Sequence, residues 1–454
     1  MIARWIGLCA RNRFLVFTGT LLLVLAGIWA ERRMPLDALP DISDVQVIIH
    51  KAWNEPPNVI EDQVTYPIVT ALLAAPSVKA VRAQTMFGDS YVFVVFEDGT
   101  DLYWARSRVL EYLQQIAGRL PAGVHPVIGP DATAAGWVYE YLIVDHNHRY
   151  SLADLRSLQD WFLRYQIETV PGVAEVASIG GFVRQYQVRL DPDKLRAFNI
   201  PLSTVIEKVR DSTNEVGGRL LEFRGAEYMV RGLGYLRSLS DLETVPVASK
   251  NGTPVLVRDL GTVSFGPDIR RGVAEWNGEG EAVGGIVVMR YGLNALNVIS
   301  GVKKKLAEIS GSLPPGVEVI SGYDRSGLIQ ASIDTLERDL IEEAVIVSLV
   351  IIIFLFHFRS ALIPILTLPI AVVASFIPMY YLQVSSNIMS LGGLALAIGV
   401  LVDAAIVMVE NGYRHLSEAQ HAHAGDKTKQ RSISSSERRR ILLDAAKQVG
   451  PALF

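Results

Sequence analysis

The chain has 454 residues, 50% of them hydrophobic and only 20% charged, and its 43 Lys plus Arg against 47 Asp plus Glu give a formal charge of −4. A mean hydropathy of +0.27 at this length points to membrane spans before any soluble fold. The single cysteine, Cys9, excludes a disulfide framework and a thiolate zinc site, and the near-neutral balance leaves no nucleic-acid footprint.

In chain order, the first apolar run is 14–30, preceded by Arg4, Arg11 and Arg13. It is long for the core of a signal peptide. Glu31-Arg32-Arg33 follows it where a cleavage site needs small residues, so it reads as a transmembrane helix.

Roughly 310 residues separate this run from the next, room for two or three small domains. Their order is β (45–49), α (59–73), β (78–83), β (91–96) and α (102–120), which is that of a ferredoxin-like unit. A second copy begins with a strand at 138–144 and continues through a helix at 152–170 to strands at 173–178 and 185–190. The junctions correspond: Pro76-Ser77-Val78-Lys79-Ala80-Val81 aligns with Pro171-Gly172-Val173-Ala174-Glu175-Val176. A third β-α-β stretch takes 282–289, 296–309 and 317–320, and the turn-rich 220–266 suits an inserted module. Repetition on this scale indicates duplicated α+β subdomains, since a solenoid needs a shorter, stricter period.

Three further apolar runs follow, 344–358, 361–382 and 388–409, the first lengthened by Leu340 and Ile341. Pro364, Pro369 and Pro378 lie within the second of these, where neighbouring groups in a membrane re-satisfy the freed carbonyls. Arg359 sits in the turn before it, and Arg414, Lys427, Lys429, Arg431, Arg438, Arg439, Arg440 and Lys447 follow the last run. With four crossings all these cations and those before residue 14 share one side, which places both termini in the cytoplasm and 31–343 outside.

The outer region shows no nucleophile-base pair, phosphate loop or metal triad, so an enzyme is the least supported class. Asp41-Ile42-Ser43-Asp44 and Asp191-Pro192-Asp193 read as turns and helix caps. His415, His421 and His423 read as a solvated linker without further ligands around them. Asp403 is different, because it interrupts an otherwise apolar helix, where a carboxylate costs at least about 2.5 kcal/mol. An apolar setting favours the neutral acid, which suits Asp403 to load and unload a proton. Glu410 lies seven residues on, almost on the same face, as either a second proton carrier or an interfacial carboxylate. Gly392, Gly393, Ala395, Ala397, Gly399, Ala404 and Ala405 let another helix approach closely. Met389 and Met408 bracket the helix, with Met379 on the one before. Thioethers take soft monovalent ions such as Cu(I), and they also serve as packing filler.

The run 389–411 resembles the heavy-metal-efflux branch of the resistance-nodulation-division (RND) transporters. So do Pro35-Leu36-Asp37-Ala38-Leu39-Pro40-Asp41, Asp62-Gln63-Val64-Thr65-Tyr66-Pro67, Phe87-Gly88-Asp89-Ser90-Tyr91, Trp104-Ala105-Arg106-Ser107-Arg108 and Gly129-Pro130-Asp131-Ala132-Thr133. The copper/silver-exporting members are the most similar, and the resemblance covers the N-terminal half of such a protein.

It implies a proton/cation antiporter of the bacterial inner membrane, a homotrimer joined to a periplasmic membrane-fusion adaptor and an outer-membrane channel. No cofactor is implied; Cu(I) or Ag(I) is cargo. Asp403 matches the family's proton-relay aspartate, with Glu410 beside it, and Met389 and Met408 match methionines of the metal pathway. Ala397 stands where the zinc/cobalt/cadmium members carry a second acid. Leu401 and Ile269 stand where the copper/silver members have further methionines.

The expected architecture is an α-helical membrane protein with a large periplasmic α+β region: 1–33 the N-terminus and first span; 34–135 the first porter subdomain; 136–339 the second, with a docking insertion near 190–270. Spans two to four then fill 340–411, and 412–454 is a basic cytoplasmic segment reaching into a fifth helix. Family members are roughly twice as long. The alternatives are a truncated, non-transporting remnant or assembly subunit, and a pump for divalent Zn, Co or Cd.

Overall fold

The computed structural model describes residues 2–213, 216–232, 234–250, 252–270, 272–355, 358–425 and 434–453. Outside the helices near the termini, three apolar cores organise the chain.

The first core lies under a four-stranded antiparallel sheet. Strand Asp89–Phe96, its alternate residues apolar on both faces, takes the centre between Val78–Met86 and Gln46–Ala52, and the short Val127–Ile128 flanks the latter. The registers Val47↔Val94 and Val81↔Val94 fix the pairing. Ile60, Val64, Ile68 and Leu72 come from one helix and Ala105, Val109 and Leu113 from the other, at helical spacing, and all are buried against Val47, Ile49, Val92 and Val94. Asp101 starts the second helix by accepting from Trp104 N at 2.7 Å.

The second core takes in the third β-α-β stretch as well as the second copy. The third β-α-β stretch forms no sheet of its own. Strand Glu281–Met289, whose EAVGGIVVM is buried along nearly its whole length, inserts between Trp137–Asp145 and Val173–Gly180, and Val317–Asp324 completes the far side against 137–145. An unbroken apolar run has no face to give to solvent, so it takes a central position. Strand Arg184–Leu190, expected to continue the second unit, pairs instead with Gly261–Pro267. These two belong to a third core built by Ile200, Val205, Leu242, Val245, Val257 and Leu260. From it projects the hairpin Val216–Phe223 and Ala226–Gly232, with Leu220, Leu221, Phe223, Tyr228 and Met229 exposed.

Both expected helices 59–73 and 152–170 widen by a π-helical turn, Glu61–Thr65 and Gln159–Leu163. Each turn carries a fully buried polar side chain. Thr65 Oγ1 lies 2.8 Å from both Thr85 Oγ1 and Ser90 Oγ, and Gln159 Oε1 accepts from the Tyr141 hydroxyl at 2.8 Å. Burial pushes the Tyr141 phenol well above the ordinary tyrosine range despite that bond.

Of the helices expected to span the membrane, two stretches are long and apolar enough by themselves among the described residues, Arg13–Glu31 and Leu362–Tyr381. The expected second span lies in helix Arg325–Leu355 and runs on into 356–357, outside the described residues. The expected fourth lies in helix Ile388–Gly425, of which Ile388–Ala397 is apolar but short. Ile351 is buried among Val347, Ile365, Leu368, Val372 and Ile406, so these three helices share one contact. Arg13–Glu31 packs against Phe358–Tyr381, with Trp29 edge-on to Tyr380 at 5.1 Å.

A helix not expected from the sequence, Ile2–Arg11, precedes the first span and meets Ser435–Leu453, where Gly450 faces Ile6. Lys427, Lys429 and Arg431 lie outside the described residues.

Candidate functional site

Asp403, Glu410, Met389 and Met408 all lie on the helix Ile388–Gly425. Asn387 starts it: its Oδ1 accepts from Met389 N at 2.9 Å and Ser390 N at 3.0 Å, and Ser390 Oγ donates to Ser385 O at 2.8 Å. Met389, Leu396, Asp403 and Glu410 follow one another at seven-residue intervals, so each step turns the side chain by only about 20°. They form one stripe, and that stripe is outward-facing: Met389 is 70% and Leu396 81% exposed, and Asp403 and Glu410 are exposed with them.

The same stripe fixes what each residue faces within this chain. Asp403 is not buried within this chain, because the described helices pack against other faces of its helix and leave this stripe uncovered. Met408 is half-buried and lies about 140° around from Asp403, off the stripe. Met389 and Met408 are also about 28 Å apart along the axis at 1.5 Å per residue, so they cannot ligate one ion together. Asp403 and Glu410 are about 10 Å apart by the same measure. A Cβ built on Gly392 or Gly393 meets nothing within 4 Å, so the small-residue surface is open to another helix. Ile269 is 61% exposed beside Asp268 and Arg270, in a polar cleft of about 470 Å³ far along the chain from this helix.

The helix is tied down at its start and again beyond Glu410, where His415, expected in a solvated linker, is helical and hydrogen-bonded. In its C-terminal half, buried Asn411 donates from Nδ2 to Ala445 O at 3.0 Å, and His415 Nε2 pairs with Gln448 Oε1 at 2.9 Å. At its N-terminal end, residues 35–38 run beside 386–388: Ser386 N donates to Pro35 O at 2.9 Å, Asp37 N to Ser386 O at 3.1 Å and Ile388 N to Ala38 O at 3.2 Å. Asp37 Oδ1 lies 3.1 Å from Arg325 Nε, and Arg325 is 6% exposed. Partial burial pushes the Asp37 carboxyl above the ordinary aspartate range, against the opposing pull of Arg325.

Two further acids of the motifs, Asp41 and Asp131, are paired with polar side chains. Thr133 Oγ1 donates to Asp41 Oδ2 at 2.5 Å, the Tyr103 hydroxyl donates to Asp131 Oδ2 at 3.0 Å, and Arg290 Nη1 is 3.9 Å from the same oxygen. The turn and cap readings hold for two acids: Asp41 also accepts from Ser43 N at 3.0 Å, and Asp191 caps helix Pro192–Phe198.

A sequence model described as the AcrB/AcrD/AcrF family matches residues 6–453. The chain is 52% identical to the cation efflux system protein CusA of Escherichia coli over 98% of its own length and 42% of that protein's. It is 50% identical to the putative cation efflux system protein SilA of Salmonella typhimurium, with the same coverage of each. It is 36% identical to the cobalt-zinc-cadmium resistance protein CzcA of Cupriavidus metallidurans, over 100% of this chain and 43% of that one. Among solved structures, a heavy metal efflux pump superimposes with a TM-score of 0.80 at 28% identity, over 99% of this chain and 47% of the pump. The chain therefore spans less than half the length of the relatives it matches.

Proposed function

We propose, starting from the fact that this chain belongs to the AcrB/AcrD/AcrF family, that it is the proton-responsive part of an exporter of heavy-metal cations, driven by protons entering in exchange. The observation that carries this reading is the stripe on helix Ile388–Gly425, a carboxylate in an apolar span with a second acid below it and a methionine above. Such a group is costly in a membrane unless it is used. Asp403 would take a proton, lose its charge, and change its preference for whatever packs on the open face. Two protonation states then stabilise two helix positions. Glu410 stands about 10 Å nearer the cytoplasmic end, where it passes the proton on.

The cargo is proposed to be Cu(I) or Ag(I), with Met389 and Met408 as soft stations at opposite ends of the helix. Similarity to a cation efflux protein of the CusA kind at 52% identity, and Ala397 in place of a second acid, support monovalent ions. The 36% identity to a cobalt-zinc-cadmium resistance protein keeps divalent metals as the second reading.

In the same reading four helices cross the inner membrane: the two that are long and apolar enough, and those holding 344–358 and 388–409. Residues 34–135 and 136–339 form porter subdomains outside it, and 190–270 forms a docking module. Residues 412–454 lie in the cytoplasm. The apolar hairpin over 216–232 supports self-association, here into a trimer working with a periplasmic adaptor and an outer-membrane channel.

The test is metal tolerance in cells producing the complete protein. Asp403→Asn is expected to abolish tolerance to silver and copper while leaving membrane insertion and assembly intact. Undiminished tolerance contradicts the proton role, and protection against zinc but not silver selects the divalent reading.

A further inference from the structure

The pair of buried Arg325 and half-buried Asp37 stands where four segments meet. Arg325 is the first residue of helix Arg325–Leu355 and follows directly on strand Val317–Asp324, so it marks the rigid passage from the second sheet into a membrane helix. Its Nη1 donates to Ala135 O at 2.6 Å, in the short turn that leads into strand Trp137–Asp145. Its Nε faces Asp37, which belongs to the segment after the first span. That segment is seated in the second core through Ala38, which is 0% exposed, and its Leu36 O accepts from Ala295 N at 3.4 Å. Its backbone also holds Ser386 and Ile388, the entry to the helix that carries Asp403.

A largely desolvated ion pair adds little net stability, because removing charge from water offsets most of the attraction. Its best-supported use is registry, fixing one arrangement against alternatives. Here the pair fixes the outer end of the Asp403 helix against the second sheet. The helix itself transmits axial movement, with Asp403 about 24 Å from Asn387 at 1.5 Å per residue. The neighbouring Asp324, bonded to Lys303 and to Ser326, keeps a second charge pair on the sheet side of the same junction and leaves Arg325 to Asp37.

We propose that Asp37 and Arg325 are positioning residues that couple the Asp403 helix to the outer sheet, so that protonation in the membrane is transmitted to the periplasmic region through the 35–38/386–388 clamp. The proposal rests on the reading of Asp403 as the proton carrier. Neither residue touches cargo or proton; each acts by holding the clamp in register.

Two measurements on the complete protein in lipid vesicles test it. The first follows proton movement and silver movement together. Asp37→Asn is expected to raise the number of protons moved per silver ion by about tenfold, within the usual range of coupling between sites. The exchanged pair Asp37→Arg with Arg325→Asp should recover part of the ratio, and Arg325→Lys, which keeps the charge, should lie between. A purely structural loss lowers both fluxes in proportion, and an unchanged ratio overturns the proposal.

The second measurement, hydrogen exchange, needs no transport. The amides of Asp37, Ser386 and Ile388 should exchange about tenfold faster in Asp37→Asn while those of strand 137–145 hold still. Unchanged exchange at these three overturns the clamp. Asp403→Asn run in parallel separates the two levels of the argument. If it leaves proton movement intact, the proposed function fails, and the exchange result still decides the pair.

Discussion

Gly27 lies on helix Arg13–Glu31 where it packs tightly on helix Phe358–Tyr381, and replacing it tests that packing directly. A Cβ added there falls 2.2 Å from the carbonyl oxygen of Val373 and 2.6 Å from Val373 Cγ1. Comfortable carbon contacts lie at about 3.5–4.0 Å, so the helices must part by more than about 1 Å locally. No side-chain rotation relieves this, because the nearest atom is backbone. Overpacking of this kind costs about 1–3 kcal/mol, a factor of roughly 5 to 150 in the folding equilibrium. Gly19, two helical turns earlier on the same helix, provides the control: a Cβ there meets nothing within 4 Å. In reversible unfolding by SDS in mixed micelles, Gly27→Ala should unfold at a clearly lower SDS fraction. Gly19→Ala should be neutral or slightly stabilising, since alanine is the better helix former. Equal shifts for the two substitutions refute the close packing of these helices.

Other substitutions probe the outer region and the helix anchors. Gln159→Leu leaves the buried Tyr141 hydroxyl without its acceptor and should cost about 1–3 kcal/mol, read as faster amide exchange in strand 137–145. Ser151→Ala removes the hydroxyl that caps helix Leu152–Leu158 and should cost about 1 kcal/mol by denaturant midpoint. The Ser151 hydroxyl, opposed by partial burial and helped by Arg184, holds the Asp154 carboxyl below the ordinary aspartate range. Its contribution is therefore complete above about pH 4 and is lost as the pH falls through the lower folded value. Ser151→Ala should flatten that part of the acid-unfolding profile. Asn411→Ala removes the side-chain bond that ties the two helices at Ala445 O and should loosen helix Ser435–Leu453, seen as proteolysis within 434–453.

The periodic parts of the fold were readable because single elements announce their own burial. The run at 282–289 is apolar throughout, and Val64, Ile68 and Leu72 recur at helical spacing. Partner choice was less readable. Strand 184–190 shows that a strand is present without showing that 261–267, some seventy residues later, is its neighbour. The π-helical turns at 61–65 and 159–163 left no periodicity signal, because each shifts the apolar face by less than one residue's arc. Asp403 stood out as a charge in an apolar run, but its exposure depends on which helices cover the stripe. Arg325 was invisible by contrast: it sits in the polar Asp324-Arg325-Ser326, and only the fold brings Asp37, nearly three hundred residues away, beside it.

Proton exchange for metal is the central claim, and its most direct test is the pH inside vesicles bearing the complete protein when silver is added on the side from which it is exported. The account predicts a silver-dependent proton movement opposite in direction to the metal, present in the wild-type protein and absent in Asp403→Asn. Silver transport without proton movement, or proton movement that survives Asp403→Asn, contradicts it.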